Sequence, residues 1–163
     1  MHSSPCTLEI HLKERLRGID PEKIVVVGVG NRMRGDDALG LVLLDALKGV
    51  FSHLIDAGTT PEEYLSIIKR RNPEVIIFLD AIERDLPPGT ICIIERDDIL
   101  PQHECSHHLS LDILLQYLAL ETGADVFIIG ITVETISPVF GLSSEVKESI
   151  SICADIIRSA ISF

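Results

Sequence analysis

Two kinds of hydrophobic pattern alternate along this chain. Short, nearly unbroken apolar runs at 24–29, 75–80, 91–95 and 126–131 predict buried strands, and a further short strand fits at 53–56. Between them, apolar residues return every three or four positions, as on one face of a helix. The segments 38–48 and 60–71 read this way, and "TPEE" at the start of the second pairs an N-cap Thr60 with Pro61 and Glu63 in a capping box. Leu111, Leu114, Leu115 and Leu118 give a third helix. Val146, Ile150, Cys153, Ile157 and Ile161 give a last one, beginning at Ser143 or Ser144. Near the N-terminus, Ser4 as N-cap and Pro5 in the first turn open a helix with Leu8, Leu12 and Leu16 on one side. Strands alternating with helices predict an α/β fold with a mostly parallel sheet. Only ten residues, containing Pro-Pro-Gly, separate Asp80 from Ile91. That is too short for a parallel crossover, so these two strands are expected to be antiparallel neighbours, with the reversed strand at an edge.

The 163 residues, 46% of them hydrophobic, suffice for one α/β domain over 1–163. No apolar run reaches the roughly 18 residues of a membrane span, and charged residues interrupt the N-terminal segment where a signal peptide would be apolar. A cytoplasmic location is therefore expected. Twenty-five acidic against 14 basic residues give a net charge of −11, a surface that repels nucleic acid and anionic membranes. Cys6, Cys92, Cys105 and Cys153 form no C-x-x-C pair and read as buried free thiols rather than as a disulfide framework or zinc site.

The chemistry-bearing stretch is "IVVVGVGNRMRGDDALG". Gly28 and Gly30 begin a dinucleotide fingerprint, and Asp56 ends the next strand as a ribose-binding carboxylate would. The third glycine position holds Met33, however, and Asp36 and Asp37 stand at the helix start where a phosphate would sit. Two readings of those aspartates stand side by side. Asp36 can be the N-cap with Asp37 in the first turn, or the pair can serve a ligand that the Gly-x-Gly-Asn turn brings close to backbone. Asp80 closes a run of apolar residues, at the strand end where open α/β sheets bind ligands. His103, His107 and His108 cluster just before the Leu111 helix. A histidine with two or more carboxylates suits zinc or nickel with open coordination positions.

On these residues the sequence resembles the hydrogenase maturation endopeptidases. "GVGNRMRGDDALG", "IDAGTTPE", "IIFLDAI", "SHHLSL" and "IIGITVETI" with "GLSSEV" look like that family's successive segments in order, from Ile24 onward. Residues 1–20 form a helical extension outside the match. The resemblance implies a three-layer sandwich: a five-stranded, mostly parallel twisted sheet with one antiparallel strand and helices on both faces. It implies a nickel-dependent endopeptidase that removes a C-terminal peptide from a [NiFe]-hydrogenase large-subunit precursor after metal insertion. It implies, further, that Asp37, Asp80 and His107 are the catalytic and metal-binding residues, acting on nickel carried by the precursor. Two other functions use the same features: a nickel-checkpoint binding module without peptidase activity, and a dinucleotide-dependent oxidoreductase.

Overall fold

A computed structural model describes residues 4–98, 111–134 and 141–162. Its strands are β1 (Ile24–Gly28), β2 (His53–Asp56), β3 (Val75–Ile82), β4 (Ile91–Glu95) and β5 (Asp125–Thr132). They make one sheet in the order β2-β1-β3-β5-β4, parallel except for β4, which runs antiparallel to β5 at the edge. All residues of β1 and β3 are buried, which is why those runs are apolar without alternation.

The reversed edge strand is as expected, but its neighbour is not. β5 lies between β3 and β4, so the two strands joined by the short connection do not pair. Both ends of that connection are at the same end of the sheet, and an antiparallel return needs no crossover. The connection passes over the end of β5 and is pinned there. The Gly89 N–H donates to the Thr132 carbonyl at 2.8 Å, and the Thr90 N–H to the Thr132 hydroxyl at 2.9 Å. The fully buried Thr132 hydroxyl donates in turn to the Pro87 carbonyl at 2.6 Å.

Helices cover both faces. On one side α1 (Pro5–Leu16), α2 (Leu39–Ala46) and α5 (Ser144–Ile161) pack over Val26, Ile77, Leu79, Phe127 and Ile129. On the other, α3 (Leu65–Arg70) and α4 (Leu111–Thr122) pack over Val27, Ile76, Phe78, Val126 and Ile128. The expected continuous helices at 38–48 and 60–71 are shorter, each preceded by a 3-10 turn, Gly35–Ala38 and Pro61–Tyr64. The capping box does not form. The Thr60 hydroxyl is 3.2 Å from the Glu63 carboxylate, and Thr60 takes a backbone conformation outside the usual N-cap region.

The N-terminal helix is part of the core. Ser4 Oγ accepts from the Thr7 N–H, and Leu8, Leu12 and Leu16 are buried among the residues beneath α5. Arg15 lies 3.8 Å above the Phe127 ring and forks between Glu95 on β4 and Asp125 at the start of β5. Among the described residues, no helix is long and apolar enough to cross a membrane.

Candidate active site

The site is assembled where β1 leaves the sheet. Gly30 adopts φ +148°, and a Cβ there would fall 2.1 Å from the Asp37 carbonyl oxygen. Only glycine lets the turn carrying the two aspartates fold back onto the end of β1. N–H groups of the loop are engaged within the protein. Gly30 donates to the Gly58 carbonyl, Asn31 to the Asp37 carbonyl and Met33 to the Asn31 side chain, at 2.8, 3.2 and 2.9 Å. A phosphate loop aims such groups outward, so the dinucleotide reading loses its physical basis here. One turn further, Gly40 presses α2 onto the sheet: a Cβ would sit 2.4 Å from the carbonyl oxygens of both Val29 and Leu79.

This packing brings Asp37 and Asp80 to one end of the sheet. The Gly35–Ala38 turn that carries Asp37 packs against β3, the strand that carries Asp80. Asp37 is 1% exposed and Asp80 0%. Asp80 does not close its strand as expected, because β3 continues to Ile82 and pairs Asp80 with Gly130 of β5. By alternation its side chain lies on the face covered by α3 and α4, the face on which α4 follows the histidine cluster. Asp80 Oδ1 accepts from the Ala81 N–H at 2.8 Å. Two carboxylates buried this deeply carry a desolvation cost of several kcal/mol each unless charge or hydrogen bonds offset it. The donor set, hard oxygens in a dry setting, fits a divalent cation. Among the described residues no group of three His, Cys, Asp or Glu side chains gathers that could hold a metal. His103, His107 and His108 lie outside the described residues.

Asp56 is the acid the structure sets apart. It is exposed, accepts from the Gly58 N–H at 3.1 Å and pairs with Arg32 at 2.8 Å. Arg32 also grips Asp45 on α2 and holds that carboxyl below its ordinary range. Asp36 has a role that the sequence did not reveal. It does not cap the helix that follows it, since Arg34 precedes the turn and Asp36 lies inside it. Its two oxygens accept instead from the Ser143 N–H and hydroxyl, at 2.7 and 2.9 Å, just before α5. No local signal marks a contact across 107 residues.

The described cysteines offer no activated nucleophile. Cys6 is exposed on α1, against the expectation of burial, whereas burial pushes the Cys92 thiol up and the Cys153 thiol to about 12.

Comparison with known proteins places the same features in context. A family model described as hydrogenase maturation protease matches residues 46–160. The chain is similar to the hydrogenase 3 maturation protease of Escherichia coli K12, with 30% identity over 131 residues, 77% of this chain and 83% of that protein. It is similar in structure to a [NiFe] hydrogenase maturation protease from Thermococcus kodakarensis, with a TM-score of 0.82 at 27% identity, covering 94% of this chain and 99% of that one. The hydrogenase maturating endopeptidase HybD of E. coli superposes with a TM-score of 0.69 at 27% identity, over 82% of this chain and 88% of that one.

Proposed function

This chain belongs to the hydrogenase maturation protease family, and on that premise we propose that it is a nickel-dependent endopeptidase acting on a [NiFe]-hydrogenase large-subunit precursor. The reaction is removal of a C-terminal peptide once the precursor has received its nickel, and its setting is the cytoplasm. The observation that carries this reading is the pair of buried carboxylates, Asp37 and Asp80, at one end of the sheet. With His107 they form the set of groups offered to the nickel that the precursor brings.

In this reading the nickel arrives as part of the substrate. Asp37 and Asp80 supply negative charge in a low-dielectric setting, where it attracts a divalent cation far more strongly than in water. The binding of that cation orients the adjoining C-terminal segment, so a precursor without metal is not held for cleavage. When bound, nickel supplies Lewis acidity toward the scissile carbonyl or the attacking water. Three protein ligands leave positions for the precursor's own groups, which is why the isolated protein should hold a metal weakly.

The test is a mass measurement of a large-subunit precursor before and after incubation, with and without nickel. Loss of the C-terminal peptide from the nickel-loaded precursor alone is the expected result. Equal cleavage of both forms would remove the checkpoint role. A second experiment tests the histidine. His107→Ala is expected to abolish processing and His108→Ala to reduce it modestly, because only His107 fits the family's His-x-(Leu/Met)-x-Leu register. Activity in the first variant with loss in the second would shift the ligand by one residue.

A further inference from the structure

Asp36 and Asp37 are consecutive residues of one 3-10 turn, Gly35–Ala38. Three residues per turn set neighbouring side chains about 120° apart, so the two carboxylates cannot point the same way. Asp37 is 1% exposed. Asp36 is engaged elsewhere, with both of its oxygens on Ser143.

The turn runs directly into the core-packed α2, with the Leu39 N–H on the Asp36 carbonyl, and its N-terminal side is the less firmly tied. Arg34, before it, makes no side-chain cap, and Gly35 takes φ +53°. Its backbone ties to the preceding loop are the Asp37 N–H to the Arg34 carbonyl at 3.0 Å and the Asn31 N–H to the Asp37 carbonyl at 3.2 Å. A turn of this length has no stability of its own. Ser143, on the other side, is well anchored. It precedes the 18-residue α5, whose Val146, Ile150 and Cys153 are in the core. The Ser143 hydroxyl makes no cap bond to α5 and donates to Asp36 instead. A carboxylate at a helix N-terminus is also favoured by the helix dipole. The contact therefore transfers the rigidity of α5 to the turn that carries Asp37.

We propose that Asp36 is a positioning residue for Asp37, its two-point bond to Ser143 fixing the rotation of the Gly35–Ala38 turn so that the Asp37 carboxylate faces the nickel site. The inference rests on the reading of Asp37 given above, and Asp37→Ala is the control for that reading.

Four variants separate the possibilities: Asp36→Ala, Asp36→Asn, Ser143→Ala and the Asp36→Ala/Ser143→Ala double variant. Each is measured for cleavage of nickel-loaded precursor, for Ni²⁺ affinity of the isolated protein by calorimetry, and for melting temperature. Asp36→Ala is expected to lower the cleavage rate at saturating precursor by about tenfold or more and to weaken Ni²⁺ binding to a similar extent. Asp36→Asn is expected to keep both near wild type, because an amide can still accept from the Ser143 N–H and donate to its hydroxyl. Ser143→Ala loses one of the two bonds and should fall between them, and the double variant should be no worse than Asp36→Ala alone. If Asp36→Ala does not fold, Asp36→Asn and Ser143→Ala carry the test. Wild-type Ni²⁺ affinity and cleavage in Asp36→Ala or, where that variant is unfolded, in Ser143→Ala would overturn the proposal. So would loss of both in Asp36→Asn, since the charge rather than the placement would then matter. A wild-type rate in Asp37→Ala would instead sink the reading of the site itself, whatever Asp36 does.

Discussion

At the residue scale, Asp80 is a carboxylate fully buried within the sheet. It interrupts a strand of eight buried residues, and a carboxylate in that setting gives up several kcal/mol of hydration. Asparagine has the same shape and can still accept from the Ala81 N–H. Asp80→Asn is therefore expected to stay folded, with a melting temperature near wild type, and to lose processing by roughly a hundredfold or more, about 3 kcal/mol in the barrier. Thermal unfolding and a cleavage time course check both halves, and near-normal processing would remove Asp80 from the site. The buried thiols make a separate statement. A thiol whose pKa is raised on folding contributes stability that is complete below its unfolded value and is lost as pH rises through the folded one. For Cys153 that window runs from about 9 to about 12. The stability of the wild type should fall across it by at most about 1.4 kcal/mol per pH unit from this group, and Cys153→Ala should flatten the slope in alkaline urea titrations. At neutral pH, an alkylating reagent should modify Cys6 but neither buried thiol, with processing retained.

At the element scale, strand positions were legible because Val, Ile and Phe fill strands covered on both faces, and a buried run carries its own signature. Asp80 stands out in the sequence for the complementary reason, a charge at the edge of such a run, and the structure buries it, while the roles of Asp37 and Asp80 belong to the proposal. The order of the strands was not legible. That β5 inserts between β3 and β4 is a pairing between distant segments, and the short connection fixed only the direction of β4. The Asp36–Ser143 bond was hidden in the same way, whereas the true helix starts were blurred by 3-10 turns whose residues resemble those of an α-helical first turn. Gly40 shows what an element-level contact demands. Its conformation is helical, so alanine is acceptable to the backbone, yet a methyl group would collide with two carbonyl oxygens of the sheet. Gly40→Ala is expected to lift α2 and to destabilise by roughly 1–3 kcal/mol, although alanine is the better helix former. Urea denaturation checks this. A more stable variant would mean that α2 shifts without cost.

At the scale of the whole molecule, the N-terminal helix lies outside the motifs that identify the family, yet it closes one layer of the sandwich. Leu8, Leu12 and Leu16 are 3%, 1% and 1% exposed. Burying a leucine stabilises by about 1.5–3 kcal/mol, so three of them approach the 5–15 kcal/mol that separates a typical folded domain from its unfolded chain. The half-buried Arg15 adds ties to both β4 and β5, with Glu95 and Asp125 raising its pKa against the effect of burial, so the helix also fixes the edge of the sheet. A chain starting at Gly18 would also lose the packing of α1 against α5. It is expected to be recovered unfolded or aggregated, with loss of near-ultraviolet circular dichroism and of processing together. Leu12→Ala is the graded version, a loss of about 2–5 kcal/mol by chemical denaturation with processing retained below the melting transition. A truncated chain that melted at the wild-type temperature would show that α1 merely rests on a fold complete without it. In that case the core would have to close over α5 by rearranging the side chains that α1 now covers.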